Sequence, residues 1–401
     1  AQIVLMAGST VSFAGSSALI YFEAGTGEVH YLNSVWDIPR EQTSGNDIPP
    51  CGTPSGRQVL VHGFMAGLEE AHSRFGELPF ESLFGPAIYF AEEGFEIYQY
   101  LGWIIDSRTH VLTQTESGRE IFSKPSGARY RTGDWFVQPV LAETLNRVSQ
   151  VGADHLHSGA WARELVDVVR DQGGRLSLED LEDYEPRWIE PLTFDFEGDL
   201  IHSTNAPELG GGYLRAAMTS LDVDGLRAAG HYTSSTTSLA MLLRGLERAY
   251  GYGKRAPGTS SSHSDAVVAV DRRGNVAAFL HTINASDYWG SGLFVDGVSI
   301  SNAGCWAQWH ISQAGPDRRL PTVLNPTIVT RQGRPVLASS SIGVGVFPDS
   351  FFSLVDVLVF GATPQGAVDD PAFLQPDFGT GRVVHQAAWG DFSRALLDGV
   401  R

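Results

Sequence analysis

Ser264 and Thr282 are the residues from which a chemistry can be built. They stand at the outer ends of two apolar runs of β type, 266–270 and 276–280, that flank the loop Asp271-Arg272-Arg273-Gly274-Asn275. Gly274 and Asn275 tolerate the positive φ that such turns demand. A five-residue loop that sets the register puts Val270 opposite Val276, and counting outward places Ser264 opposite Thr282. Two hydroxyls then meet at one end of a hairpin, with Cβ atoms about 5 Å apart. A serine there can attack a carbonyl if a base takes its proton and donors steady the oxyanion. Ser260, Ser261 and Ser262 lie just upstream and compete for the role.

Other constellations carry less. Val61-His62-Gly63-Phe64 suggests a serine hydrolase of the α/β type, but no G-x-S-x-G elbow follows. His155-Leu156-His157 has no third ligand at a useful spacing, so no metal is expected. Gly210-Gly211-Gly212 lacks the G-x-x-x-x-G-K-[ST] pattern of a phosphate cradle, and no cofactor is expected.

The elements that must position the two hydroxyls come from the whole chain. Its 401 residues can bury a large core, with 42% hydrophobic and 18% charged residues and 45 glycines for turns. A net charge of -18 argues against nucleic acid as a partner. The longest apolar run, Phe351 to Ala362, is broken by Asp356 and is too short to span a membrane, so it reads as a core helix. Cys51 and Cys305 read as free buried thiols. The N-terminus has no positively charged region ahead of its apolar residues, and the expectation is a cytoplasmic protein.

In chain order, Ala18–Glu23 and Glu28–Leu32 form a hairpin around Ala24–Gly27. Helices follow at Met65–Phe75, stopped by Gly76, and at Leu83–Glu93, stopped by Gly94. Another spans the stretch between Gly152 and Gly173. Ser177-Leu178-Glu179-Asp180 opens a short helix with a capping-box pattern. A strand-to-helix turn lies at Asn205–Gly212, and a helix at Ser238–Tyr250 leads into a loop rich in Gly, Lys, Pro and Ser just before Ser264. A second hairpin, Asn325–Thr330 with Val336–Ser339, runs into Ser340-Ser341-Ile342-Gly343-Val344-Gly345 and a helix at about Phe347–Val359.

The nucleophile hairpin, with D-x-x-G-N in its turn and Thr282-x-Asn284 closing it, resembles that of the γ-glutamyltranspeptidase family. Further stretches carry the resemblance over nearly the full length: Val61–Gly67, Arg74–Gly76, Ala91–Phe95, Glu179–Tyr184, Tyr288–Phe294 and Asn325–Val329. It implies an α+β, four-layer αββα sandwich of the N-terminal nucleophile hydrolase type. It also implies one domain, 1–401, cut between His263 and Ser264 into a large segment, 1–263, and a small one, 264–401, that stay associated. The freed amine of Ser264, with a pKa of about 8, is then the base for its own hydroxyl. By the same resemblance Thr282 orients the nucleophile, Asn284 meets the substrate, and the amides of Gly343 and Val344 hold the oxyanion. Ser340 and Ser341 lie beside the substrate.

Departures from the family pattern shift the substrate. The stretch Asn33–Asp37 lacks the arginine that clamps the glutamyl carboxylate, and Ile300–Trp306 lacks the acidic residues that grip its amine. The chain also begins after the family's alanine-rich first helix, as a trimmed fold or a fragment. Trp36, Trp289, Trp306 and Trp309 could line the site instead, although tryptophans at such spacing are more often core. The expectation is a hydrolase or acyltransferase acting on a non-glutamyl amide or related small molecule, including carbon–carbon bonds of antibiotic-type metabolism. The rival is an uncut, non-catalytic relative that binds or scaffolds.

Overall fold

The hairpin that carries Ser264 and Thr282 forms in the expected register. We label its strands with the others of the two large sheets: β1 (Ser16–Glu23), β2 (Glu28–Ser34), β3 (Arg187–Ile189), β4 (Leu192–Phe196), β5 (Asp199–Ser203), β6 (Ser264–Val270), β7 (Val276–Thr282), β8 (Thr327–Arg331) and β9 (Arg334–Ser339). Ser264 pairs with Thr282 and Val270 with Val276. The turn is fixed from within, since Asp271 Oδ1 accepts the amides of Arg273 and Asn275, and Gly274 takes φ 91°. It is also tied sideways, because Asn275 Oδ1 accepts the Ala24 amide of the first hairpin's turn. The computed structural model describes residues 1–252, 263–314, 318–373, 387–389 and 392–400. Ser260 to Ser262, and most of the loop expected ahead of Ser264, lie outside the described residues.

One sheet runs β3-β2-β1-β7-β6 and the other β9-β8-β5-β4, each neighbouring pair antiparallel. Period-two alternation gives each strand an inner and an outer face. Ala18, Ile20 and Phe22 of β1 and Val276, Ala278 and Leu280 of β7 pack inward with Ile328 of β8, filling the space between the sheets. Phe279 faces the other way, against a large core with Phe64 and Met65 of the helix Phe64–Phe75. On the far side, Ile201 and Val329 pack against the helices Gly210–Met218, Thr236–Tyr252 and Val346–Leu358. Helix, sheet, sheet and helix therefore stack as four layers. Each buried Leu or Phe contributes about 1.5–3 kcal/mol to holding them.

The helix expected between Gly152 and Gly173 is interrupted. It forms as Asp154–His157 and Ala160–Asp171, because the chain turns at Ser158-Gly159, where the Gly159 amide bonds the Asp154 carbonyl. Ser177 and Asp180 make the full capping box. No helix among the described residues is long and apolar enough to cross a membrane.

The two cysteines are not free. Cys51 and Cys305 form a disulfide between positions 254 residues apart. Local contacts bring them together: Gln58 Nε2 donates to the carbonyls of Pro49, Pro50 and Thr53, shaping the loop that carries Cys51. Gly304 packs on the Gln58 backbone, where a Cβ would come within 2.8 Å of its carbonyl oxygen.

Candidate active site

Where β6 begins and β7 ends, three polar groups converge. The Thr282 hydroxyl donates to the His263 carbonyl at 2.5 Å and accepts the Asn284 amide at 2.7 Å. That carbonyl belongs to the peptide bond joining His263 to Ser264. Thr282 thus addresses the acyl side of the link, not only the serine beside it. β1 backs the site: Ser16 pairs with Thr282, and Gly15 lies so close that a Cβ would sit 2.6 Å from the Thr282 carbonyl oxygen. Asn284 holds a positive φ of 48°, and Trp306 Nε1 donates to its carbonyl at 2.8 Å. Trp306 follows Cys305 in the chain, so a covalent anchor stands one residue from the group that fixes Asn284.

Ser264 is buried as a residue yet borders a cavity of about 740 Å³, and Gly343 and Ile342 border the same cavity. Gly343, at φ 75°, opens a 3₁₀ turn, Gly343–Gly345, that runs into the helix Val346–Leu358. Amides at such a start have no partner within their own helix and can receive an anion.

Other expected residues fall elsewhere. Ser340 and Ser341 line an adjoining cavity of about 390 Å³ that shares Asp265 and Ile342 with the first. Trp289 is fully buried in the core, with Nε1 bonded to the Ala7 carbonyl. Trp36 and Trp306 belong to a separate apolar cluster, and Trp309 is exposed. None of these tryptophans borders the Ser264 cavity.

The aromatic lining comes from Phe95, Tyr98, Tyr100 and Tyr288 instead. The His263 ring lies flat on Tyr288, with centroids 4.0 Å apart and planes 10° off parallel. Its Nε2 is 3.9 Å from Asp287 Oδ1. Burial pushes the His263 imidazole below its ordinary pKa, and Asp287 opposes that shift. Tyr288 is itself held, its hydroxyl 2.7 Å from that of Tyr100. Arg108 bonds the Tyr288 carbonyl and pairs with Asp287 at 3.1 Å. Phe95 and Tyr100 stand more than 160 positions before Ser264, and no spacing in the sequence points from one to the other.

Arg319 was not foreseen either. Its buried guanidinium enters the region of Asn33–Asp37, donating to Asp37 Oδ1, to the carbonyl and side-chain oxygens of Asn33 and to the Glu185 carbonyl. The ring of Tyr184 lies against it. A cation does reach this part of the fold, from the opposite end of the sequence, and these bonds occupy it.

His155 and His157 do not form a metal pair. His157 bonds the Leu181 carbonyl and lies against His62; burial lowers both, His157 to about 4. Among the described residues, two groups could offer atoms to an ion, His231 with Asp356 and Asp370, and Glu23 with Glu28 and His30. Neither borders the Ser264 cavity.

Comparison with known proteins gives the family and the fold. The family profile described as Gamma-glutamyltranspeptidase matches residues 42–251. The chain is 24% identical over 387 residues to a glutathione hydrolase proenzyme of Pseudomonas sp. (strain A14), covering 82% of this chain and 67% of that protein. With the glutathione hydrolase proenzyme of Bacillus subtilis (strain 168) it shares 34% over 167 residues, 42% of this chain and 28% of the relative's length. The crystal structure of cephalosporin acylase from Bacillus halodurans superposes with a TM-score of 0.74 at 20% identity, over 92% of this chain and 76% of that one, which speaks to the fold. The chain belongs to the gamma-glutamyltranspeptidase family.

Proposed function

We propose that this protein is a self-processing amide hydrolase or acyltransferase with Ser264 as its nucleophile. The observation that carries the proposal is the Thr282 hydroxyl on the His263 carbonyl, at 2.5 Å, beside a cavity shared by Ser264 and Gly343. In the first reaction Ser264 Oγ attacks the His263 carbonyl carbon. Thr282 stabilises the charge on the oxygen, the C–N bond breaks, and the nitrogen keeps the proton that the hydroxyl gave up. Water then hydrolyses the resulting ester, leaving a carboxylate on His263 and a free amine on Ser264. In later cycles that amine accepts the hydroxyl proton as Oγ attacks a substrate amide. The Gly343 and Val344 amides hold the oxyanion, the substrate's amine departs with the proton, and water or a second amine takes the acyl group.

The acyl group is not glutamyl. No arginine stands in Asn33–Asp37, Arg319 is occupied there by Asp37 and Asn33, and Ile300–Trp306 has no carboxylate. Asn284 meets the substrate near the nucleophile. Attack on a carbonyl whose leaving group is carbon rather than nitrogen extends the same machinery to carbon–carbon cleavage in specialised metabolism. The Cys51–Cys305 disulfide favours an oxidising compartment over the cytoplasm, where such bonds are rare.

The test is gel analysis and N-terminal sequencing of purified protein. Two pieces that sum to 43.4 kDa, the smaller starting at Ser264, are expected. Ser264→Ala should remain whole. A wild-type chain that stays whole after prolonged incubation refutes the proposal, and a start at Ser261 or Ser262 moves the nucleophile.

A further inference from the structure

We infer that the acyl group taken by Ser264 carries a flat aromatic ring and no negative charge. The inference rests on the proposed processing and deepens it. The uncut chain is its own first acyl donor, because the carbonyl attacked in processing and the carbonyl of a substrate must both reach the same Oγ. The side chain on that first donor therefore marks space open to an acyl group. Here it is the imidazole of His263, stacked on Tyr288 at 4.0 Å and 10°.

The surface under that ring is prepared rather than incidental. Tyr288 is bonded to Tyr100 through its hydroxyl, met edge-on by the rings of Tyr100 and Trp103, and fixed through its backbone by Arg108. A ring arriving there finds a face whose position is already set, so little ordering cost remains. Charge completes the case. Of the described residues bordering the cavity, the carboxylates are Glu96 and Asp265, and no lysine or arginine is among them. Arg108 stands behind Tyr288, paired with Asp287. An anionic acyl tail would meet like charge, while Phe95, Tyr98, Leu5, Met6 and Ile342 offer apolar walls. The same repulsion expels the His263 carboxylate that processing creates, which clears the Tyr288 face.

Two measurements test this. In the first, the cut protein is given p-nitroanilides that differ only in the acyl group: phenylacetyl, hexanoyl, glutaryl and γ-glutamyl. Each turnover breaks the anilide C–N bond, with water supplying the acid oxygen and the amine proton. Phenylacetyl should exceed hexanoyl in kcat/KM by roughly two- to tenfold, the range of an aromatic contact, and exceed both anionic acyl groups by more. Tyr288→Leu should bring the phenylacetyl-to-hexanoyl ratio near one, and Tyr288→Phe should keep it. The second needs no catalysis. Phenylacetamide should bind the uncut Ser264→Ala protein more tightly, by roughly two- to tenfold, once His263→Gly is added and the Tyr288 face is vacated. A cut protein that prefers glutaryl or γ-glutamyl, or a double variant that binds no better than its parent, overturns the inference and leaves the processing reaction standing. A wild-type chain that is never cut overturns the underlying proposal instead.

Discussion

The disulfide joins residue 51 of the large segment to residue 305 of the small one, across the proposed cut at 263/264. Processing therefore yields two pieces that remain one covalent molecule. Removing the link with Cys51→Ser/Cys305→Ser has a cost that follows from the chain between them. Closing a loop of 254 residues restricts the unfolded state by about 5 kcal/mol in the chain-entropy picture, near the top of the measured range. For 401 residues, with an unfolding entropy of about 2 cal/mol/K per residue, that lowers the Tm by about 6 °C. After the cut the effect changes kind. The bond holds the pieces at an effective concentration of about 1 mM, so at 1 µM protein its loss weakens association about a thousandfold. The assay is electrophoresis of cut protein with and without reductant, and thermal unfolding of the uncut Ser264→Ala protein with and without the two cysteine substitutions. One band near 43.4 kDa without reductant and two with it are expected. Two separated pieces without reductant, or cysteine substitutions that leave the Tm of the uncut protein unchanged, would refute the reasoning.

Thr282→Val removes the donor on the His263 carbonyl and should slow processing by about 100-fold or more, the usual cost of losing one oxyanion donor; time-resolved gels measure it, and an unchanged rate would show that the bond plays no part. His62 and His157 are buried with pKa values pushed down by desolvation, His157 to about 4 from 6.5. The unfolded chain then binds more protons below pH 6.5, so stability present above that pH falls as pH drops toward 4, by about 3 kcal/mol for His157 alone. Denaturant titrations between pH 7 and 4 should show this slope, with a shallower one in His157→Gln; parallel slopes would count against it.

The hairpin geometry of the candidate site could be read from the sequence because its logic is local. A five-residue turn and a period of two are enough to set Ser264 against Thr282, and the glycine at 343 announces a sharp entry into the following helix. What escaped was long-range. Cys51 and Cys305 look like two stray thiols until a loop shaped by Gln58 and a close-packed Gly304 bring them together. Trp289 has the type and position of a lining residue, but its indole bonds to Ala7 in the core. The Tyr288 face depends on Tyr100 and Arg108, which arrive from a distant helix, Gln99–Leu112. The helix expected across 152–174 broke at Ser158-Gly159, a turn that its apolar periodicity does not reveal.

The Arg319 guanidinium bears on how the protein is born. Its partners Asn33, Asp37 and Glu185 emerge from the ribosome well over a hundred residues earlier, and a buried carboxylate such as Asp37 is costly without its cation. Asp37 therefore lacks its cation in the nascent chain until position 319 has been translated. This corner of the fold thus waits for a residue made well after it, and the proposed scission, which needs the assembled sheets, comes later still.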